Sequence, residues 1–214
     1  MITLESNYLI SHNKEICKSI LVEINKNKEN SDYHKMKIKE DLSVFFISLH
    51  LVLEIGLNAF FRKIHLKQIK KELDPIKVAE NLDGISFIDK TILFIYNSKF
   101  NFDDIQKATD YHKIIRKIKN FNEIRNKLMH GHSIGFDIGN LEDGKLPESF
   151  EDSKLFKLLT IKNCENQIEL FLEIMEGMSY YFESLESDYS KDDIKKFKDL
   201  YLSGDFILEE YKKL

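Results

Sequence analysis

The chain of 214 residues carries 32 Lys plus Arg against 36 Asp plus Glu, a formal charge of −4, with 43% hydrophobic residues and only 8 Gly and 2 Pro. This length and apolar content supply a real core and exclude a disordered chain, the scarcity of breakers predicts long helices, and the charge confines any polyanion binding to a local patch. Cys17 and Cys164 stand far apart without CxxC or Cys/His spacing, which excludes a disulfide scaffold and a structural zinc; the first residues lack a basic then apolar leader, so a reduced, cytoplasmic setting is expected.

In chain order, Ile16, Ile20 and Ile24 predict the inward face of a first helix over about residues 12–27, followed by the polar run NKNKENSD. Residues 32–72 read as one long helix or two collinear ones, stopped at Asp74-Pro75. Within it, residues 44–61 are just long enough to cross a bilayer. Ser48, His50, Glu54 and Asn58 interrupt that run, however, and the last three recur every four residues as one polar stripe. The pattern predicts a helix buried inside a soluble protein.

A short helix near 75–82 closes at Asp83-Gly84, and Ser86 with Asp89 resembles a capping box that opens an apolar helix to about residue 97. Ile105, Ala108, Tyr111, Ile115, Ile118 and Phe121 mark a second long amphipathic helix over 103–130. Gly131, Gly135, Gly139, Gly144 and Pro147 turn residues 131–153 into a loop or irregular excursion. Cys164, Ile168, Phe171, Met175, Met178, Phe182 and Leu185 alternate spacings of four and three, the clearest helix in the chain. Such a stripe is ordinary packing, against the core or a partner helix. After Ser190 come two short helices split by Ser203-Gly204. No alternating strand pattern appears, so the fold class is all-α, a single domain over 1–214 with a short helical tail over about 190–214.

Common enzyme motifs are missing: there is no GxxxxGK[ST], GxGxxG, HExxH or GxSxG. What remains is FNEIRNKLMHGHS over residues 121–133. Arg125 follows Phe121 by four residues and Ile118 by seven, which puts it on the inward side of its helix, where a guanidinium needs a partner. Only Arg62, Arg116 and Arg125 are arginines among 32 basic residues, so the planar fork suited to phosphate or carboxylate stands at a selected position.

The run Arg125-Asn126-Lys127-Leu128-Met129-His130 resembles the motif of the HEPN domains, all-helical proteins marked by Arg, four to six residues, then His, with Asn commonly after the Arg. The likeness covers about residues 40–185 as helix order, within a HEPN-like core of about 32–187, and is specific in the motif alone. It implies a HEPN-like helical bundle with a Gly-rich excursion before the last long helix. It also implies a metal-independent endoribonuclease without cofactor or metal, of toxin, abortive-infection or antiviral type, with two protomers joining their motifs in one cleft. RNA, a second copy of the chain and an antitoxin or defence-system protein are the implied partners. Other members keep the fold without catalysis, which leaves a silent dimerisation or partner-binding module as the alternative; an unrelated all-α regulator is a third reading.

Cleaving RNA without a metal needs a base for the 2′-hydroxyl, an acid for the leaving 5′-oxygen and a cation for the charge on the phosphate. His130 suits either proton transfer and Arg125 suits the phosphate. A five-residue step rotates about 140° on an ideal helix, so the two converge only if the helix ends or bends at His130, or if a second protomer completes the site. Asn126 would orient the histidine or a phosphate oxygen, or simply cap the helix end. His132 also meets the allowed spacing, with His130 preferred. Glu54, on the stripe with His50 and Asn58, is expected to be buried and to meet Arg125 or a neighbouring motif residue; otherwise the stripe is a wet face. Lys113, Arg116, Lys117, Lys119 and Lys127 on the motif helix, and Arg62, Lys63, Lys67, Lys70 and Lys71 on the other, can track an RNA backbone or form a solvated face.

Overall fold

The computed structural model describes residues 4–35, 37–68, 84–98, 105–129, 157–183 and 190–214. Helix α1 (Leu4–Asn27) leads into a short α2 (Ser31–Lys35) and the long α3 (Lys37–Gln68). Then come α4 (Phe87–Ser98), α5 (Ile105–Met129) and α6 (Ile161–Glu183). The tail is α7 (Lys191–Phe197), a π-helical turn (Lys198–Leu202) and α8 (Asp205–Tyr211). No strand occurs among the described residues, and the class is all-α. The expected stop of the 32–72 segment at Asp74-Pro75, the expected helix at 75–82 and the excursion at 131–153 lie outside the described residues.

Helix α3 is the axis on which α1, α2, α4, α5, α6 and the π-helical turn pack. Its stretch Lys37–Lys63 holds an 18-residue window long and apolar enough to cross a membrane, with mean hydropathy 1.9, yet 67% of that window is buried within the chain. Phe45, Leu49, Val52, Leu53, Leu57 and Phe60 face the core, so the apolar run is spent on its own neighbours. Met175 of α6 meets it at Gly56, and Cys164, Ile168, Phe171, Met178 and Phe182 complete the stripe, all buried; Leu185 lies outside the described residues.

Two expected details shift. The buried face of α1 is Ile10, Asn13, Cys17, Leu21 and Ile24, while Ile16 and Ile20 are only half-buried. Asn13 hides in that face because its Nδ2 donates to Leu9 O at 2.8 Å, satisfying a polar group that a hydropathy pattern counts as outward. The start of the 32–72 segment is a separate short helix: Asn30 Oδ1 accepts from the backbone of Asp32 and Tyr33 and opens α2. Tyr33 Oη and Lys37 Nζ then both donate to the buried Asp41 at 2.8 Å, tying α2 to α3.

The capping box at α4 forms as expected: Asp89 N donates to Ser86 Oγ at 3.1 Å, and that hydroxyl donates to Asp89 Oδ2 at 2.6 Å. The tail splits at Ser203-Gly204 and belongs to the same body as α1 and α3. Lys14 Nζ of α1 donates to Leu200 O at 2.7 Å, satisfying a carbonyl of the π-helical turn, and Asn25 Nδ2 donates to Glu210 O at 2.9 Å. Tyr201 Oη donates to Asn7 Oδ1. Gly56 of α3 permits a close backbone approach, since a Cβ there would lie 2.7 Å from Tyr201 O. Cys17 and Cys164 are free and buried, and burial pushes both thiols up.

Candidate functional site

The polar stripe of α3 turns inward, toward α4 and α5. His50 is 1% exposed and wedged between two aromatic rings, Phe87 of α4 at 4.3 Å and Phe121 of α5 at 5.3 Å between centroids. Its Nε2 lies 3.3 Å from Asn122 Oδ1. Its Nδ1 is buried without a hydrogen bond and faces Glu54 Oε2 at 3.5 Å, one turn along the same helix. Burial and the nearby Arg125 charge lower the His50 pKa to about 4, against a weaker opposite pull from the Asn122 bond. The ring is therefore neutral at pH 7. With Nε2–H donating to Asn122, Nδ1 presents a bare lone pair toward a carboxylate; with the Asn122 amide reversed, the Nδ1–H tautomer points its proton at Glu54.

Asn58, a further turn on, accepts a 2.7 Å hydrogen bond from Lys90 Nζ of α4. Lys90 is 3% exposed, so this ammonium is a buried cation beside the stripe. From α5 come Asn122, Arg125 and Asn126, three residues on one face by helical spacing. Arg125 is half-buried, and its Nη1 donates to Asn126 Oδ1 at 2.9 Å.

The expected Glu54–Arg125 pair does not form among the described residues. Glu54 is half-buried, its side chain 31% exposed, and its partner is His50. The reason is local: i to i+4 spacing sets Glu54 beside His50, while Asn126 takes an Arg125 donor from the adjacent position. Arg125 acts on the stripe through its field at His50 instead. His130 and His132 lie outside the described residues, as does any bend at His130.

Lys127 is held by Glu123 at 2.6 Å, and Arg116, Lys117 and Lys119 are exposed. The second basic set divides: Lys63 Nζ stands 6.0 Å over the Phe197 ring of the tail, whereas the side chains of Lys67, Lys70 and Lys71 lie outside the described residues, as does that of Lys113.

Lys90 and Asn122 were not among the residues the sequence singles out, although each left a signal. Lys90 sits three residues after Phe87 and beside Thr91, on the inward face of an apolar helix. Asn122 precedes Arg125 by three and Asn126 by four, so the inward polar face of α5 begins there. Together the residues make a sealed imidazole, a buried ammonium and a partly open guanidinium whose remaining donors can take an oxyanion. No protein-family model matches the chain, and no curated protein and no solved structure matches it.

Proposed function

We propose that the chain is a metal-independent endoribonuclease of the HEPN type, a toxin or defence effector that cuts RNA at a cleft built by two copies. The observation that carries this reading is the setting of Arg125: a rare arginine, half-buried near the end of α5, with Asn126 on its fork and His130 five residues on. Arg125 grips the scissile phosphate. His130 moves protons as the 2′-oxygen attacks phosphorus and the 5′-oxygen leaves, the lost 2′ proton and the gained 5′ proton balancing. His50 is a positioning residue, because a sealed ring with a pKa of about 4 neither reaches RNA nor carries a proton at pH 7. Asn122 bonds that ring at Nε2, and Glu54 stands 3.5 Å from its unbonded Nδ1.

Arg125→Ala and His130→Ala should each lower cleavage of single-stranded RNA by about 10² to 10⁴-fold while helical content and dimerisation persist. A monomer by light scattering at micromolar concentration would count against the two-copy cleft. A catalytically silent module of the same fold is the second reading, favoured by the Asn126 bond and the field on a buried ring, both of which serve structure. It predicts RNA left intact by the unaltered protein and a destabilised Arg125→Ala chain.

A further inference from the structure

Opposite the Arg125 face, α5 and α6 enclose a cavity of about 380 Å³ whose walls include Arg116, Lys117 and Lys127 from α5 and Asn163 and Gln167 from α6. At about 100° per residue, these α5 positions lie nearly half a turn from Asn122, Arg125 and Asn126, so this is a separate place on the molecule. Its volume falls in the range of small-ligand pockets, about 300 to 1,000 Å³. The cations stand at its rim: Arg116 and Lys117 are exposed, and Lys127 is anchored by Glu123.

The α6 wall brings amides with unmet hydrogen-bonding capacity. Asn163 spends Nδ2 on Leu158 O at 2.8 Å, which leaves its Oδ1 as the open end. Gln167 is only 6% exposed, and its Oε1 is shielded from solvent without any hydrogen-bond partner. A native chain rarely leaves such an acceptor unmet, because the unpaired group costs about 1–3 kcal/mol. A ligand that satisfies this site needs an anionic part for the rim and hydrogen-bond donors on a compact, flat part for the amides. A nucleotide of RNA has both, a phosphate and a base edge. An acidic peptide would bring its carboxylates to the rim and backbone N–H donors, but no flat base edge for the two amides.

We propose that this cavity is a nucleotide subsite for single-stranded RNA, its phosphate on Arg116 and Lys117 and its base edge on Gln167 and Asn163. The inference rests on the reading that the chain works on RNA.

The test is the binding of a labelled single-stranded RNA 12-mer to the full chain carrying His130→Ala, by fluorescence anisotropy at several salt concentrations. Arg116→Ala with Lys117→Ala should weaken binding about tenfold or more and lower the log–log salt slope by about 0.7, the value of one lost phosphate contact on a single strand. Gln167→Leu, nearly isosteric and so safe for folding, should weaken binding roughly 3- to 10-fold with the slope unchanged. Unaltered affinity and slope in both variants would overturn the proposal, as would tight binding of free AMP or an acidic peptide with none of RNA. Without His130→Ala, RNA cleavage at full rate by both variants removes the subsite and leaves the ribonuclease reading standing. Slope changes without any cleavage do the reverse.

Discussion

Glu54 Oε2 stands 3.5 Å from His50 Nδ1, one turn apart on α3, and this pair links the polar stripe of α3 to a ring buried against α5. The ring is the pivot of the site: Phe87 and Phe121 hold its faces, and Asn122 and Glu54 stand at its two nitrogens. A neutral His50 is therefore a condition of the fold as much as of the site.

That condition sets a pH dependence. The folded His50 pKa of about 4 lies below its ordinary 6.5, so between these values the unfolded chain binds more protons than the folded one. The stabilisation is full above about pH 6.5, falls as pH drops toward 4, and falls no further below. The whole effect is about 3 kcal/mol. Denaturant melts of the unaltered chain and of His50→Gln, monitored by circular dichroism, should show a steeper loss over pH 6.5 to 4 in the unaltered chain. Equal slopes would mean that His50 is not buried neutral.

Arg125 supplies part of that depression. Replacing it with Gln removes the positive field and should raise the His50 pKa above 4 while burial, the larger cause, keeps it below 6.5. Titration of the ring by proton–nitrogen NMR reads this directly. An unmoved pKa would separate Arg125 from the α3 stripe.

How much of this was legible in the sequence follows the physics of each signal. Helices with uninterrupted apolar periodicity, above all Cys164 to Phe182, and the Ser86–Asp89 cap stand where the spacing puts them, because both depend on local geometry. The inward turn of His50, Glu54 and Asn58 was equally readable from the lysine-free stretch between Lys39 and Lys63. Whether Arg125 reaches Glu54 was not: the His50–Glu54 spacing is local, but a contact from α5 takes the relative rotation of two helices, and no one-helix periodicity contains that. Asn13 and Lys90 escaped for a related reason. Each is a polar residue on a buried face, and its hydrogen-bond partner, not its hydropathy, makes burial tolerable.

Docking of the tail depends on one missing methyl. Gly56→Ala would place a Cβ 2.7 Å from Tyr201 O and 3.3 Å from Met175 Cε, and backbone cannot yield as a flexible side chain can. The cost should be about 1–3 kcal/mol. A lower melting temperature and faster proteolysis within 198–211 are the expected outcome. A chain as stable as the original would show that α3 and the π-helical turn do not meet this closely.

The most direct test of the central claim is the chemistry of the RNA ends. Single-stranded RNA is incubated with the purified protein in EDTA, and its fragments are read by mass spectrometry. If Arg125 steadies the phosphate while the neighbouring 2′-hydroxyl attacks, the fragments end in 2′,3′-cyclic phosphate, and none form with Arg125→Ala. RNA left intact by the unaltered protein, cleavage that stops with EDTA, or cleavage that survives Arg125→Ala would contradict the account.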